Sequence, residues 1–104
     1  MEGKADAVRL MDAFLANMSA ERGLSANTLT AYRYDLTQFL ASLAAQDVAE
    51  VKAITPGHVY SFLAGLRRQG LRPASIARKT ISVRLWMQFL CRDGHLITDP
   101  TLAV

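Results

Sequence analysis

Gly23, Pro56, Gly70, Pro73 and Gly94 each stand where a run of helically spaced apolar residues starts or stops, and this punctuation leaves room for four helices and little else. In the first run, from Ala5 to Met18, Val8, Met11, Phe14, Leu15 and Met18 recur at helical spacing, and it stops near Arg22-Gly23, where glycine suits a left-handed exit. Ser25 can cap a second helix to about Ala45, with Leu29, Tyr32, Leu36, Phe39, Leu40 and Leu43 on one arc. Thr55-Pro56 is a cap followed by proline in the first turn, and the Val59, Phe62, Leu63 and Leu66 stripe ends at Gln69-Gly70. Pro73 opens a fourth helix that continues through Ile76, Val83, Met87 and Leu90 to Asp93-Gly94. No segment alternates with period two for long enough to predict a strand. The expected fold is all-α, a compact four-helix bundle. After Gly94, Pro100 keeps Asp99 from continuing a helix, so residues 95–104 read as the start of a linker.

Charge is distributed unevenly over that frame. Between Val51 and Arg92 there are eight basic residues and no Asp or Glu, whereas the first fifty residues carry seven acids against four bases. A net charge of +3 therefore conceals a polarised molecule, and a one-sided cationic field on a small domain suits a polyanion such as nucleic acid. A merely solvated basic surface is the competing reading. The chain of 104 residues fits one domain, and 51% apolar residues suffice for a core. Charges interrupt every apolar run before it could span a membrane, and the opening Met1-Glu2-Gly3-Lys4-Ala5-Asp6 does not resemble a secretion signal. The lone Cys91 cannot form an internal disulfide and lies in an apolar stretch, where it reads as a small core residue of a cytoplasmic protein.

Constellations for catalysis are not apparent in the sequence. His58 and His95 have no Cys or carboxylate at metal-ligand spacing, and Glu2, Asp6, Asp12, Glu21, Asp35, Asp47 and Glu50 are scattered and read as solvated or helix-end charges. Tyr32 and Tyr60 read as core or boundary residues rather than nucleophiles. The expectation is a chain that neither catalyses a reaction nor binds a metal or cofactor.

Two helices carry surfaces suited to a duplex. With Ser75 as origin on the fourth helix, Lys79, Ser82 and Trp86 fall within roughly 40° and Arg78 flanks them at about 300°. That polar strip runs between two apolar flanks, Ile76, Val83, Met87 and Leu90 on one side and Ile81, Leu85 and Phe89 on the other. It suits a helix lying across a groove, although Trp86 itself reads as core. Arg84 points roughly 180° from Ser75 and reads as structural. On the second helix, Asn27, Thr30, Tyr34, Thr37 and Gln38 form a hydrogen-bonding face without an acid, edged by Arg33. Ser25, Asn27 and Thr28 lie at its N-terminus, where free N–H groups and the dipole favour phosphate; a capping role alone for Ser25 stays open beside that one.

The segment Glu21-Arg22-Gly23-Leu24-Ser25-Ala26-Asn27-Thr28-Leu29, followed by Ala31-Tyr32-Arg33, Asp35-Leu36 and Phe39, resembles the amino-terminal core-binding domain of tyrosine recombinases, closest to the Xer type. A second block, Gly70-Leu71-Arg72-Pro73-Ala74-Ser75-Ile76-Ala77-Arg78-Lys79 with Arg84, Gly94 and Asp99-Pro100, looks like the family's fourth core helix and its exit. The resemblance implies a SAM-like helical domain, residues 1–94, that clamps one face of double-stranded recombination-site DNA. It also implies a linker, beginning in 95–104, to a separate carboxy-terminal catalytic domain that supplies the arginines and the tyrosine nucleophile. Other recombinase protomers in a synaptic tetramer would be its further partners. Carried onto this chain, the resemblance supports Asn27, Thr28, Arg33, Ser75, Arg78 and Lys79 as DNA contacts, to which the charge and capping pattern adds Ser25, Arg72 and Ser82. Arg72 stands where the family often has a serine cap, Tyr34 where a second arginine is frequent, and Ile81-Ser82 where Ser-Ala is usual.

A helical protein-interaction module would use the same architecture, but would not in general require an acid-free span. A helix-turn-helix repressor fits less well, because no short helix pair with a tight turn precedes a recognition helix.

Overall fold

The computed structural model describes residues 2–104. Four helices follow one another: α1 (Glu2–Arg22), α2 (Ala26–Ala45), α3 (Pro56–Arg68) and α4 (Pro73–Arg92), with a single 3-10 turn at Val51–Ala53 before α3. No strand occurs among the described residues, so the all-α, four-helix expectation holds.

Each boundary has a local cause. The Ser25 hydroxyl accepts the Thr28 N–H at 3.2 Å and starts α2, while Pro56 occupies the first turn of α3, where its missing N–H costs nothing. Thr55 and His58 cap α3 reciprocally: the Thr55 hydroxyl accepts the His58 N–H, and His58 Nδ1 accepts the Thr55 N–H at 3.0 Å. His58, isolated in the sequence, is therefore a capping residue. At the other ends, Gly70 (φ 75°) and Gly94 (φ 80°) take the left-handed conformation. There the Leu71 N–H returns to the Leu66 carbonyl and the His95 N–H to the Leu90 carbonyl, closing both helices. The α2 exit has the same geometry, with Val48 N–H on Leu43 C=O, but Asp47 occupies the left-handed position at φ 61°.

The core lies where all four helices meet. Phe14, Leu36, Phe39, Trp86, Met87 and Leu90 are fully buried, and the Phe39 ring packs edge-on against both Phe62 (centroids 5.2 Å) and Trp86 (6.4 Å). Phe39 thereby joins α2 to α3 and α4 through one side chain; truncation of such a residue costs on the order of 3–5 kcal/mol. Asp35 meets residues 78–82 of α4 while Phe39, one turn on, meets Trp86, so α2 and α4 run in the same general direction with their N-termini toward one end.

The final residues are ordered against this bundle. Leu96, Pro100 and Thr101 are buried, Asp99 Oδ1 accepts both the N–H (2.7 Å) and the hydroxyl (2.6 Å) of Thr101, and Tyr60 donates its hydroxyl to the Ala103 carbonyl at 3.0 Å. Arg84 donates to the Val104 carbonyl. The stretch expected to begin a linker is thus folded onto α3 and α4, with Arg84 holding it on the side away from α2. No helix among the described residues is long and apolar enough to cross a membrane.

Candidate nucleic-acid interface

The centre of the α2–α4 seam is a charged cluster. Asp35, read from the sequence as a solvated acid, has no exposed surface. Arg78 grips it through Nε (3.1 Å) and Nη2 (2.7 Å), the Lys79 ammonium donates to it at 2.9 Å, and the Ser82 hydroxyl donates at 2.9 Å. Burial alone would push the Asp35 carboxyl up. The hydrogen bonds from Arg78, Lys79 and Ser82, with the charge of Lys79, outweigh that and hold it below its ordinary value. Reciprocally, the hydrogen bond to Asp35 raises the Arg78 pKa. Lys79 also donates to Gln38 Oε1 and lies 4.6 Å above the Tyr34 ring, itself exposed and joined through its hydroxyl to Gln38.

This geometry corrects part of the sequence expectation. Lys79 is 3% exposed and Ser82 fully buried, so neither belongs to an exposed strip. The strip of Lys79, Ser82 and Trp86 is instead the centre of the arc that packs on α2, and on the flank of Ile81, Leu85 and Phe89 only Ile81 is exposed, with Leu85 half-buried and Phe89 buried against Phe14. The physical reason is Asp35: a buried carboxylate requires cationic and hydroxyl partners, and α4 is rotated to supply them. Arg33 departs as well. Its guanidinium turns to the α1 side and pairs with Asp12 at 2.6 Å, away from the α4 edge.

The remaining expected residues do share one region. Arg78 stands at the rim of the seam with 45% of its side chain exposed, Ser75 lies one turn before it, half-buried, and Arg72 is exposed at the start of α4 without any side-chain cap. On α2, Asn27 is exposed, and Ser25 and Thr28 share a hydroxyl contact of 3.0 Å. Tyr34 and Gln38 join the surface through Lys79, a pairing visible only once the helices are packed. Among the described residues, α2 and α4 present no exposed carboxylate, since Asp35 is the only acid in either helix. Arg67 and Arg68 close α3 immediately before the loop into α4, and the N-terminal dipoles of α2 and α4 point to the same end.

Residues 11–94 match the family model described as phage integrase, N-terminal SAM-like domain. Among curated relatives, a tyrosine recombinase XerC of Xylella fastidiosa is 37% identical over 92 residues, covering 88% of this chain and 31% of the relative. A tyrosine recombinase XerD of Brucella abortus is 42% identical over 88 residues (85% and 28%), and one of Listeria monocytogenes is 32% identical over 96 residues (91% and 32%). The chain thus spans under a third of the length of these relatives. No solved structure matches it. With the four helices, an α2–α4 surface that exposes no carboxylate and a family match over most of its length, this chain belongs to the phage integrase N-terminal SAM-like domain family.

Proposed function

We propose that this domain binds duplex DNA as the core-binding half of a site-specific tyrosine recombinase. The observation that carries the reading is the α2–α4 surface, on which Arg72, Arg78 and the polar residues of α2 lie together while the only acid of the two helices is buried. Phosphates approach such a surface without repulsion, and the like-directed N-termini of α2 and α4 add positive potential at one end. Arg72 and Arg78 supply phosphate contacts, with Ser25, Asn27, Thr28 and Ser75 donating from their hydroxyls, amide and helix-start N–H groups. Tyr34 and Gln38 offer hydrogen-bonding groups beside Arg78. Lys79 contributes its charge from beneath the surface, not a direct contact.

In this reading the strand-cleaving chemistry belongs to a separate catalytic domain of the parent recombinase, reached through the chain that continues from residues 95–104. That domain and neighbouring recombinase protomers at the paired sites are the further partners. The domain itself needs no cofactor and works in the cytoplasm.

Fluorescence anisotropy on a short duplex tests the proposal. Binding should weaken steeply from low to physiological salt, with modest sequence preference, and Arg72→Ala or Arg78→Ala should each lower the salt slope by about one. An affinity indifferent to salt would exclude this surface as a DNA clamp. A nicked suicide substrate should trap no covalent tyrosyl adduct on this chain.

A further inference from the structure

We propose that Asp35 is a positioning residue for DNA binding, which fixes the Arg78 guanidinium at the rim of the α2–α4 seam with one edge bound and the other free for a backbone phosphate; this rests on the DNA-binding reading above. Arg78 is nearly half exposed, yet its Nε and Nη2 both hold the buried carboxylate. Of the five guanidinium N–H groups, those on Nη1 and the second on Nη2 stay uncommitted, and the rigid plane of the group determines where they point. An exposed arginine without such a partner samples many rotamers and gives up that freedom when it meets a phosphate. Here the ordering takes place on folding, which removes it from the cost of binding.

The carboxylate cannot swing away from Arg78, because Lys79 and Ser82 hold it from the other side at 2.9 Å each. Lys79 is in turn fixed by Gln38 and by the Tyr34 ring. The cluster contains two cations against one carboxylate, so a positive charge remains unbalanced beneath Arg78. A phosphate at the free edge of Arg78 would complete the neutralisation and accept the forked geometry that guanidinium offers.

Simple electrostatics and positioning predict opposite signs for one substitution. Asp35→Asn adds a net positive charge and should tighten DNA binding if the acid only dilutes the field. If Asp35 positions Arg78, affinity should instead fall roughly fivefold, because the guanidinium loses its fixed orientation. The experiment is a double-mutant cycle by fluorescence anisotropy, at one low salt concentration, on the 104-residue chain with a short labelled duplex. Its members are wild type, Asp35→Asn, Arg78→Ala and the double variant, each confirmed as folded by circular dichroism.

The expected result is a loss for Asp35→Asn that vanishes when Arg78 is already alanine. Affinity that is unchanged or tighter in Asp35→Asn overturns the proposal, and so does the same loss in both backgrounds, which a purely structural role would produce. Where Asp35→Asn does not fold, the same cycle in a Lys79→Met background, without a buried ammonium facing the asparagine, decides by the same outcomes. Wild-type binding with Arg78→Ala as tight as wild type defeats the positioning role alone. Absence of wild-type binding at that salt concentration defeats the DNA-binding reading and the proposal with it.

Discussion

Arg33 reaches from α2 to Asp12 of α1 at 2.6 Å, and Arg78 reaches from α4 to Asp35 of α2 at 2.7 Å. Both pairs join a guanidinium to a carboxylate at nearly the same shortest separation, one on each edge of α2, yet their surroundings differ. Both partners of the α1 pair are about half exposed, at 51% and 54%, so water screens the attraction and competes for the hydrogen bonds. Asp35 has no exposed surface, and its desolvation must be offset by Arg78, Lys79 and Ser82 together. A short distance between opposite charges is therefore not a measure of what an ion pair does for the fold. Burial decides whether the pair can be lost without consequence.

The largest expected difference follows from removing each acid. Asp35→Asn leaves Lys79 buried without a counter-charge and should cost on the order of 3–5 kcal/mol, whereas Asp12→Asn should cost about 0–1 kcal/mol. In thermal melts the first should lower the midpoint by roughly 15 °C or more and the second by a few degrees at most. Equal shifts would show that burial does not distinguish the two ion pairs.

Lys79→Met should fall between them, at about 1–2 kcal/mol, because Asp35 keeps its bidentate Arg78 and the Ser82 hydroxyl while the methionine fills the lysine stem's space. Urea titration at neutral pH would measure it, and a loss as large as that of Asp35→Asn would assign the cluster's stability to Lys79 rather than Arg78.

Acid should separate the two regions next. The Asp35 carboxyl titrates below its unfolded value, so its stabilising contribution is complete above about pH 4 and disappears as the pH falls through the lower folded value. Melting curves from about pH 5 downward should show wild type losing stability that Asp35→Asn has already lost. Parallel curves for the two proteins would contradict the depressed titration.

The smallest effect belongs to the exposed pair. Arg33→Ala should change stability by about 0–1 kcal/mol, and raising the salt concentration should shrink even that. A loss of several kcal/mol, unaffected by salt, would show that this pair is effectively buried too.

Much of the fold was legible in the sequence because its signals are local. Ser25, Thr55-Pro56, Pro73, Gly70 and Gly94 set helix ends through hydrogen bonds within a few residues, and the observed ends of α2, α3 and α4 fall at or within a residue or two of the expected ones. α1 begins earlier than expected, at Glu2, and the Val51–Ala53 turn is too short to leave a periodic signal. Trp86 was legible as core. Asp35 was not, although Tyr32, Leu36 and Phe39 bracket it on one helical arc, a pattern in which an acid is either misplaced or paired. Its partners lie more than forty residues away, on α4. For the same reason the sequence placed Lys79 and Ser82 on an exposed strip of α4 and Arg33 at the edge of the hydrogen-bonding face of α2.

Four helices, all of their ends except the start of α1, an acid-free basic half and the two helices that carry the candidate interface were thus readable along the chain. All of these follow from neighbours along the chain. Only tertiary structure decided which way α4 is turned about its axis, and with that which of its cations meet solvent. A helical wheel supplies the angles between residues but no origin. The origin is set by the neighbour that the helix packs against, here the buried carboxylate of Asp35, which draws Lys79 and Ser82 inward and leaves Arg78 at the rim.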